Sequence, residues 1–125
     1  MSEKPLAYII EDYEDMVTIF TEALEKAGYA TENAMDGAVA QERLKEIDPE
    51  IIILDLHLPN VSGEVLLKQI RADKRLTKAR VLIITADATM AEQLREKADL
   101  VLLKPISFVL LQQMAERFLN DVKKK

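Results

Sequence analysis

The sequence predicts an α/β sandwich in which a five-stranded parallel sheet, doubly wound in the order 2-1-3-4-5, carries helices on both faces. Three observations carry this reading. Short, almost wholly apolar runs recur at residues 6–10, 51–54, 81–84 and 100–103, and runs without polar alternation suit strands buried on both faces of a parallel sheet. Segments with apolar residues at helical spacing fill the gaps between them. Strand and helix alternate five times with no linker, repeat or low-complexity stretch. Five units of this kind form a three-layer sandwich, and right-handed crossovers leave 2-1-3-4-5 as the expected order.

The elements follow in chain order. After the first strand, Glu14 and Asp15 open a helix whose N-terminal dipole they complement. Met16, Ile19, Phe20, Ala23, Leu24 and Ala27 share one stripe of it, and Gly28 ends it. Residues 29–34, beginning at Tyr29, alternate with polar side chains and read as an edge strand. Ala40, Leu44 and Ile47 make a second helical stripe, closed by Asp48 and Pro49. The third strand, 51–54, leads through a loop from Pro59 to Gly63 into a third helix marked by Val65, Leu66 and Ile70. After the fourth strand, Ala91, Leu94 and Ala98 support a short fourth helix. The fifth strand is followed by Ser107 as N-cap and by Phe108, Leu111, Ala115, Phe118, Leu119 and Val122 on the last stripe.

Composition bounds the function. The chain has 125 residues, 49% hydrophobic and 31% charged, and predicts one globular domain over residues 1–125 with a substantial core. The absence of cysteine excludes disulfide scaffolds, thiolate metal sites and cysteine nucleophiles. The first apolar run is too short for a signal peptide or a membrane span, so a cytoplasmic protein without membrane attachment is expected. With 17 basic against 22 acidic residues the net charge is −5. That balance argues against nucleic-acid binding, and the one consecutive basic run, Lys123 to Lys125, reads as a solubilising terminus.

In a doubly wound sheet, chemistry collects beyond the carboxyl ends of the strands. Reading there gives Glu11 and Asp12 after the first strand, Asp55 after the third, Thr85 at the fourth, and Lys104-Pro105 after the fifth. Glu11, Asp12 and Asp55 converge because strands one and three are neighbours, and three adjacent carboxylates repel unless a cation stands among them. Hard oxygen ligands without His or Cys suit Mg²⁺. Lys104 brings a mobile positive charge and Thr85 a hydroxyl donor. A carboxylate nucleophile, a metal, a lysine and a hydroxyl describe phosphoryl transfer to an aspartate, with Asp55, alone at the end of a central strand, as nucleophile.

With these residues in place, the chain resembles the receiver domains of bacterial two-component response regulators, of the single-domain, chemotaxis-regulator type with a flavodoxin-like fold. The motifs fall in the family's order: Glu11-Asp12, then Asp55 within Ile53-Leu54-Asp55-Leu56-His57-Leu58-Pro59, Gly63, Thr85-Ala86 and Lys104-Pro105. The resemblance implies that Asp55 accepts a phosphoryl group from a sensor histidine kinase or a histidine phosphotransfer protein. It implies that Asp12, Asp55 and the backbone carbonyl of His57 hold Mg²⁺, with Glu11 acting directly or through water. Thr85 and Lys104 would contact the phosphoryl oxygens, and a cis peptide bond would precede Pro105. Two positions depart from the pattern. Val101 stands where the family commonly has a rotating aromatic residue, and the acidic pair is Glu-Asp instead of Asp-Asp.

The expected function is a phosphorylation-dependent switch, not an enzyme, read by an unknown protein target at the surface of the fourth helix, fifth strand and fifth helix. The fourth helix is the expected mobile element. The chain runs out at the fifth helix, so it is expected to act through a partner or as a piece of a larger regulator. Two alternatives differ in class. A pseudo-receiver would act by binding alone, but lacks its usual signature because Asp55 and Lys104 are both present. A small Mg²⁺-dependent phosphohydrolase would want an acid two residues after Asp55, where His57 stands. His57 itself is expected to be exposed beside the acyl phosphate, influencing its access to water.

Overall fold

The computed structural model describes residues 4–123, and side chains as far as Asn120. Residues 1–3, Lys124, Lys125 and the side chains of Asp121, Val122 and Lys123 lie outside the described set, and with them the expectations placed there. The order is β1 (Leu6–Ile10), α1 (Glu14–Ala27), β2 (Ala30–Ala34), α2 (Gly37–Arg43), β3 (Ile51–Leu54), α3 (Gly63–Ala72), β4 (Arg80–Thr85), α4 (Ala88–Leu94), β5 (Leu100–Leu103) and α5 (Phe108–Lys123). Single 3₁₀ turns at Lys74–Leu76 and Arg95–Lys97 precede β4 and β5. All strand pairs are parallel and the order is β2-β1-β3-β4-β5, as expected.

The alternation of side chains along a strand splits the apolar runs between two layers. Tyr8, Ile10, Ile52, Leu54, Val81 and Ile83 face α2, α3 and α4. Ala7, Ile9, Ile51, Ile53, Leu82 and Ile84 face α1 and α5. Because both faces are covered, β1 and β3 are apolar throughout and β4 is apolar between Arg80 and Thr85 at its ends. Among the described residues, no helix is long and apolar enough to cross a membrane.

Three boundaries and the burial of one strand differ from the sequence reading, besides β4 being one residue longer at each end. Tyr29 is not in β2: its N–H donates to Leu24 O (3.0 Å), completing the turn at Gly28, whose φ of 110° only glycine adopts readily. Its ring is buried and its hydroxyl donates to Ala115 O (2.8 Å), tying the start of β2 to α5. The second helix ends at Arg43, short of Ile47, because Arg75 donates to the carbonyls of Leu44 (2.5 Å) and Ile47 and holds the chain in a turn. Ala98 lies outside α4, beyond the Arg95–Lys97 turn. In β5, expected to be buried on both faces, only Val101 is buried and Leu103 is 48% exposed, since β5 closes the sheet edge opposite β2. The last N-cap is as expected, with Leu110 N–H donating to Ser107 Oγ (3.0 Å).

Candidate functional site

The sheet ladder continues one step past the strands and thereby aligns the site. Glu11 N–H donates to Ala34 O (3.1 Å), Asp55 N–H to Ile10 O (3.0 Å) and Lys104 N–H to Thr85 O (2.8 Å). Glu11, Asp55 and Lys104 therefore stand at one level of the carboxyl edge, with Thr85 ending β4. Glu11, Asp55 and Thr85 are the buried polar residues among the described ones, whereas Asp12 is exposed. The Lys104–Pro105 peptide bond is cis, as expected.

Lys104 Nζ lies between two carboxylates, 2.8 Å from Glu11 Oε1 and 3.3 Å from Asp55 Oδ2. The contact to Asp55 is a hydrogen bond; the one to Glu11 Oε1 has the distance of an ion pair without the angle of a hydrogen bond, so that buried oxygen keeps its acceptor capacity. The other oxygens accept backbone amides: Glu11 Oε2 from Tyr13 N–H (3.1 Å) and Asp55 Oδ1 from Leu56 N–H (2.8 Å). Burial raises the Glu11 pKa above the usual carboxylate value, and the contacts with Lys104 and the Tyr13 amide offset this only in part. For Lys104 burial works downward, but the carboxylates of Glu11 and Asp55 outweigh it and hold the ammonium above its ordinary value.

One carboxylate oxygen each of Glu11, Asp12 and Asp55 falls within 4.8 Å of the others. Three hard oxygen donors so placed, without a His or Cys among them, fit a small divalent cation such as Mg²⁺.

Two loops frame this edge. Gly63 opens α3 against the backbone after β3, where a Cβ would stand 2.1 Å from Asp55 O. Gly37 opens α2 against the same loop: its N–H donates to Pro59 O (3.0 Å), and a Cβ would meet Val61 O at 1.7 Å. Asn60, in left-handed backbone at φ 71°, donates to Asp36, the N-cap of α2.

All the expected side chains reach this edge, and one residue was missed. Asp87 caps α4 by accepting Met90 N–H at Oδ1 (2.9 Å), its own N–H donates to Thr85 Oγ1 (3.2 Å), and its Oδ2 lies 2.7 Å from His57 Nε2. The hydrogen bond from Met90, and then that from His57, hold its carboxyl below the usual aspartate range. His57 is exposed as expected, but its ring is engaged, joining the loop after Asp55 to the N-terminus of α4. An Asp two residues after the strand-end threonine and three before Met90 is an N-cap signal that would have found it.

Residues 7–116 match the family described as the response regulator receiver domain. The polar-differentiation response regulator DivK of Brucella ovis is 29% identical over 116 residues, covering 90% of this chain and 94% of that protein. A hybrid signal transduction histidine kinase of Dictyostelium discoideum is 33% identical over 94 residues, 75% of this chain but 6% of that much longer protein. Among solved structures, the signal receiver domain of a histidine kinase from Syntrophus aciditrophicus superposes with a TM-score of 0.84 at 27% identity, covering 97% of this chain and 94% of that one. The receiver domain of a Pseudomonas aeruginosa sensor histidine kinase, crystallised with a magnesium ion in its active-site cleft, shares the fold at a TM-score of 0.83 and 22% identity over 94% of this chain and 99% of that one. Sheet order, acidic edge and family match agree: the chain belongs to the response regulator receiver domains of two-component signalling.

Proposed function

We propose that the protein is a phosphorylation-controlled switch in which Asp55 accepts a phosphoryl group from a sensor histidine kinase or a histidine phosphotransfer protein. The observation that carries this is the position of Lys104, whose ammonium touches Glu11 and Asp55 at once. In the transfer, an Asp55 carboxylate oxygen forms a bond to phosphorus, the P–N bond of the donor's phosphohistidine breaks, and the imidazole leaves and takes up a proton. Lys104 neutralises charge on the transferred oxygens, and the Thr85 hydroxyl, an acceptor toward Asp87 N–H, turns its own proton toward them. Glu11, Asp12, Asp55 and the His57 carbonyl would hold Mg²⁺, which supplies charge neutralisation between acceptor and phosphoryl group. The Glu11-Asp12-Asp55 cluster supports this, as does the magnesium in the cleft of the Pseudomonas receiver domain.

The new charge of about −1.5 to −2 is read by packing, not by a rotating aromatic, because position 101 is a buried valine. Leu103, Val109 and Leu110, all exposed, offer an apolar output surface on β5 and α5. A chain of this kind is not a turnover enzyme for small molecules: the position where a phosphohydrolase needs an acid holds His57, already engaged by Asp87. His57 sets how water reaches the acyl phosphate, and an unchanged dephosphorylation rate in His57→Ala would refute that role.

The test is intact mass after incubation with Mg²⁺ and acetyl phosphate, beside Asp55→Asn and a chelated control. One phosphoryl adduct, confined to the native chain with Mg²⁺, is expected. No adduct in a folded native chain would leave the pseudo-receiver, acting by binding alone, as the function.

A further inference from the structure

The charge of this chain is unevenly placed. Residues 68–80 hold Lys68, Arg71, Lys74, Arg75, Lys78 and Arg80 against Asp73 alone, so a segment with six of the 17 basic residues and one of the 22 acidic ones is strongly cationic inside a chain of net charge −5. The segment forms the end of α3, the following 3₁₀ turn and the first residue of β4. It therefore occupies the amino-terminal edge of the sheet, opposite the edge that carries Asp55.

An open groove of about 640 Å³ runs there between α3 and the turn before β5. Leu67, Ala72 and Ala98 supply its apolar lining, and Lys68, Arg71 and Lys97 its cations. Arg71 spans the two walls, donating from Nε to Lys97 O (2.8 Å) and from Nη2 to Asp99 Oδ2 (3.1 Å), while Asp99 also accepts Val81 N–H (2.7 Å). The walls are thus braced. Lys68 and Lys97 are exposed and have no carboxylate within ion-pair distance among the described residues.

We propose that this groove is a docking site for an acidic, apolar-anchored segment of a partner protein. An anchor side chain would rest on Ala72 and Ala98, above the buried Leu67, while flanking carboxylates pair with Lys68 and Lys97, an arrangement in which apolar contact adds affinity and charge supplies orientation. The occupant is a peptide and not a polynucleotide because Glu96 and Asp99 stand in the lining, where discrete carboxylates can avoid them but a continuous phosphate backbone cannot. Because the groove lies at the opposite edge from Asp55, the chain can hold one protein there while the carboxyl edge reacts with another. This inference does not rest on phosphorylation of Asp55.

The probe is a fluorescein-labelled peptide of about a dozen Asp and Glu residues around one central Phe, titrated into the full native chain and followed by anisotropy and by amide resonances. Its Phe→Ala form and a single-stranded oligothymidylate serve as comparisons. The expected result is saturable binding with shifts at Leu67, Arg71 and residues 97–99, at least ~10-fold weaker in Lys68→Glu/Lys97→Glu with an unchanged melting temperature. Shifts confined to other surfaces, no saturable binding, undiminished binding by the double variant, or equal affinity for oligothymidylate would each overturn the proposal.

Discussion

Gly63→Ala is expected to damage stability and phosphorylation together, because Gly63 is the point where α3 touches the backbone that carries Asp55. A Cβ there would stand 2.1 Å from Asp55 O and 2.7 Å from Leu56 Cα, where ordinary contact begins at 3.4 Å. The helix start and the strand end must therefore separate by more than 1 Å. Neither side yields easily: Asp55 N–H is held by Ile10 O at 3.0 Å, and Gly63 N–H donates to Leu56 O at 2.9 Å. Overpacking of this kind costs about 1–3 kcal/mol, and a clash with backbone on both sides places it near the upper figure. The better helix propensity of alanine returns at most ~1 kcal/mol. Urea unfolding followed by circular dichroism would show a lower midpoint with an unchanged slope, and the rate of adduct formation with acetyl phosphate would fall in the same variant. A Gly63→Ala chain that unfolds at the native midpoint and is phosphorylated at the native rate would refute the claim that this contact sets the Asp55 geometry.

Three further outcomes are expected. Tyr8 keeps a buried hydroxyl without a hydrogen-bond partner, so Tyr8→Phe should raise unfolding free energy by about 1 kcal/mol in a urea titration. Burial, with help from Glu32, lifts its pKa from 10.0 to about 12, so the unfolded chain ionises first: stability does not vary with pH through this group below pH 10 and falls as pH rises toward 12; Tyr8→Phe should therefore lessen the alkaline loss of stability, and an identical pH profile would count against it. Lys104→Met leaves Glu11 and Asp55 without their shared cation and should lower stability by roughly 3 kcal/mol in the absence of Mg²⁺, with added Mg²⁺ raising the melting temperature more than in the native chain. An equal Mg²⁺ response in both would contradict this. His57→Ala removes the tie between the loop after Asp55 and the cap of α4, so amides of residues 88–94 should exchange faster, and unchanged protection would show that the tie restrains nothing.

Much of this was legible because the chemistry is local to strand ends. A run such as Ile51, Ile52, Ile53 and Leu54 declares a strand covered on both faces, and the polar residue that follows must then lie at the sheet edge. That logic places Glu11, Asp55, Thr85 and Lys104 at the edge from the sequence alone. It failed where tertiary contacts decide. Nothing in residues 44–47 signals that Arg75, distant in sequence, takes the carbonyls of Leu44 and Ile47 and ends α2 early. Residues 100–103 are as apolar as a central strand, yet Leu103 is exposed because β5 is an edge of the sheet among the described residues. The His57–Asp87 contact joins residues thirty apart. The cations of residues 68–80 form no long consecutive run; a helix and a turn, not adjacency, gather them.

The most direct test of the central claim is to locate the phosphoryl group. The chain phosphorylated with acetyl phosphate and Mg²⁺ is treated with borohydride, which reduces an acyl phosphate to an alcohol, and its peptides are mapped by mass. Reduction to homoserine at position 55 alone is the predicted result. A reduced residue at another carboxylate, or an adduct that resists hydride, would contradict the assignment of Asp55 as acceptor.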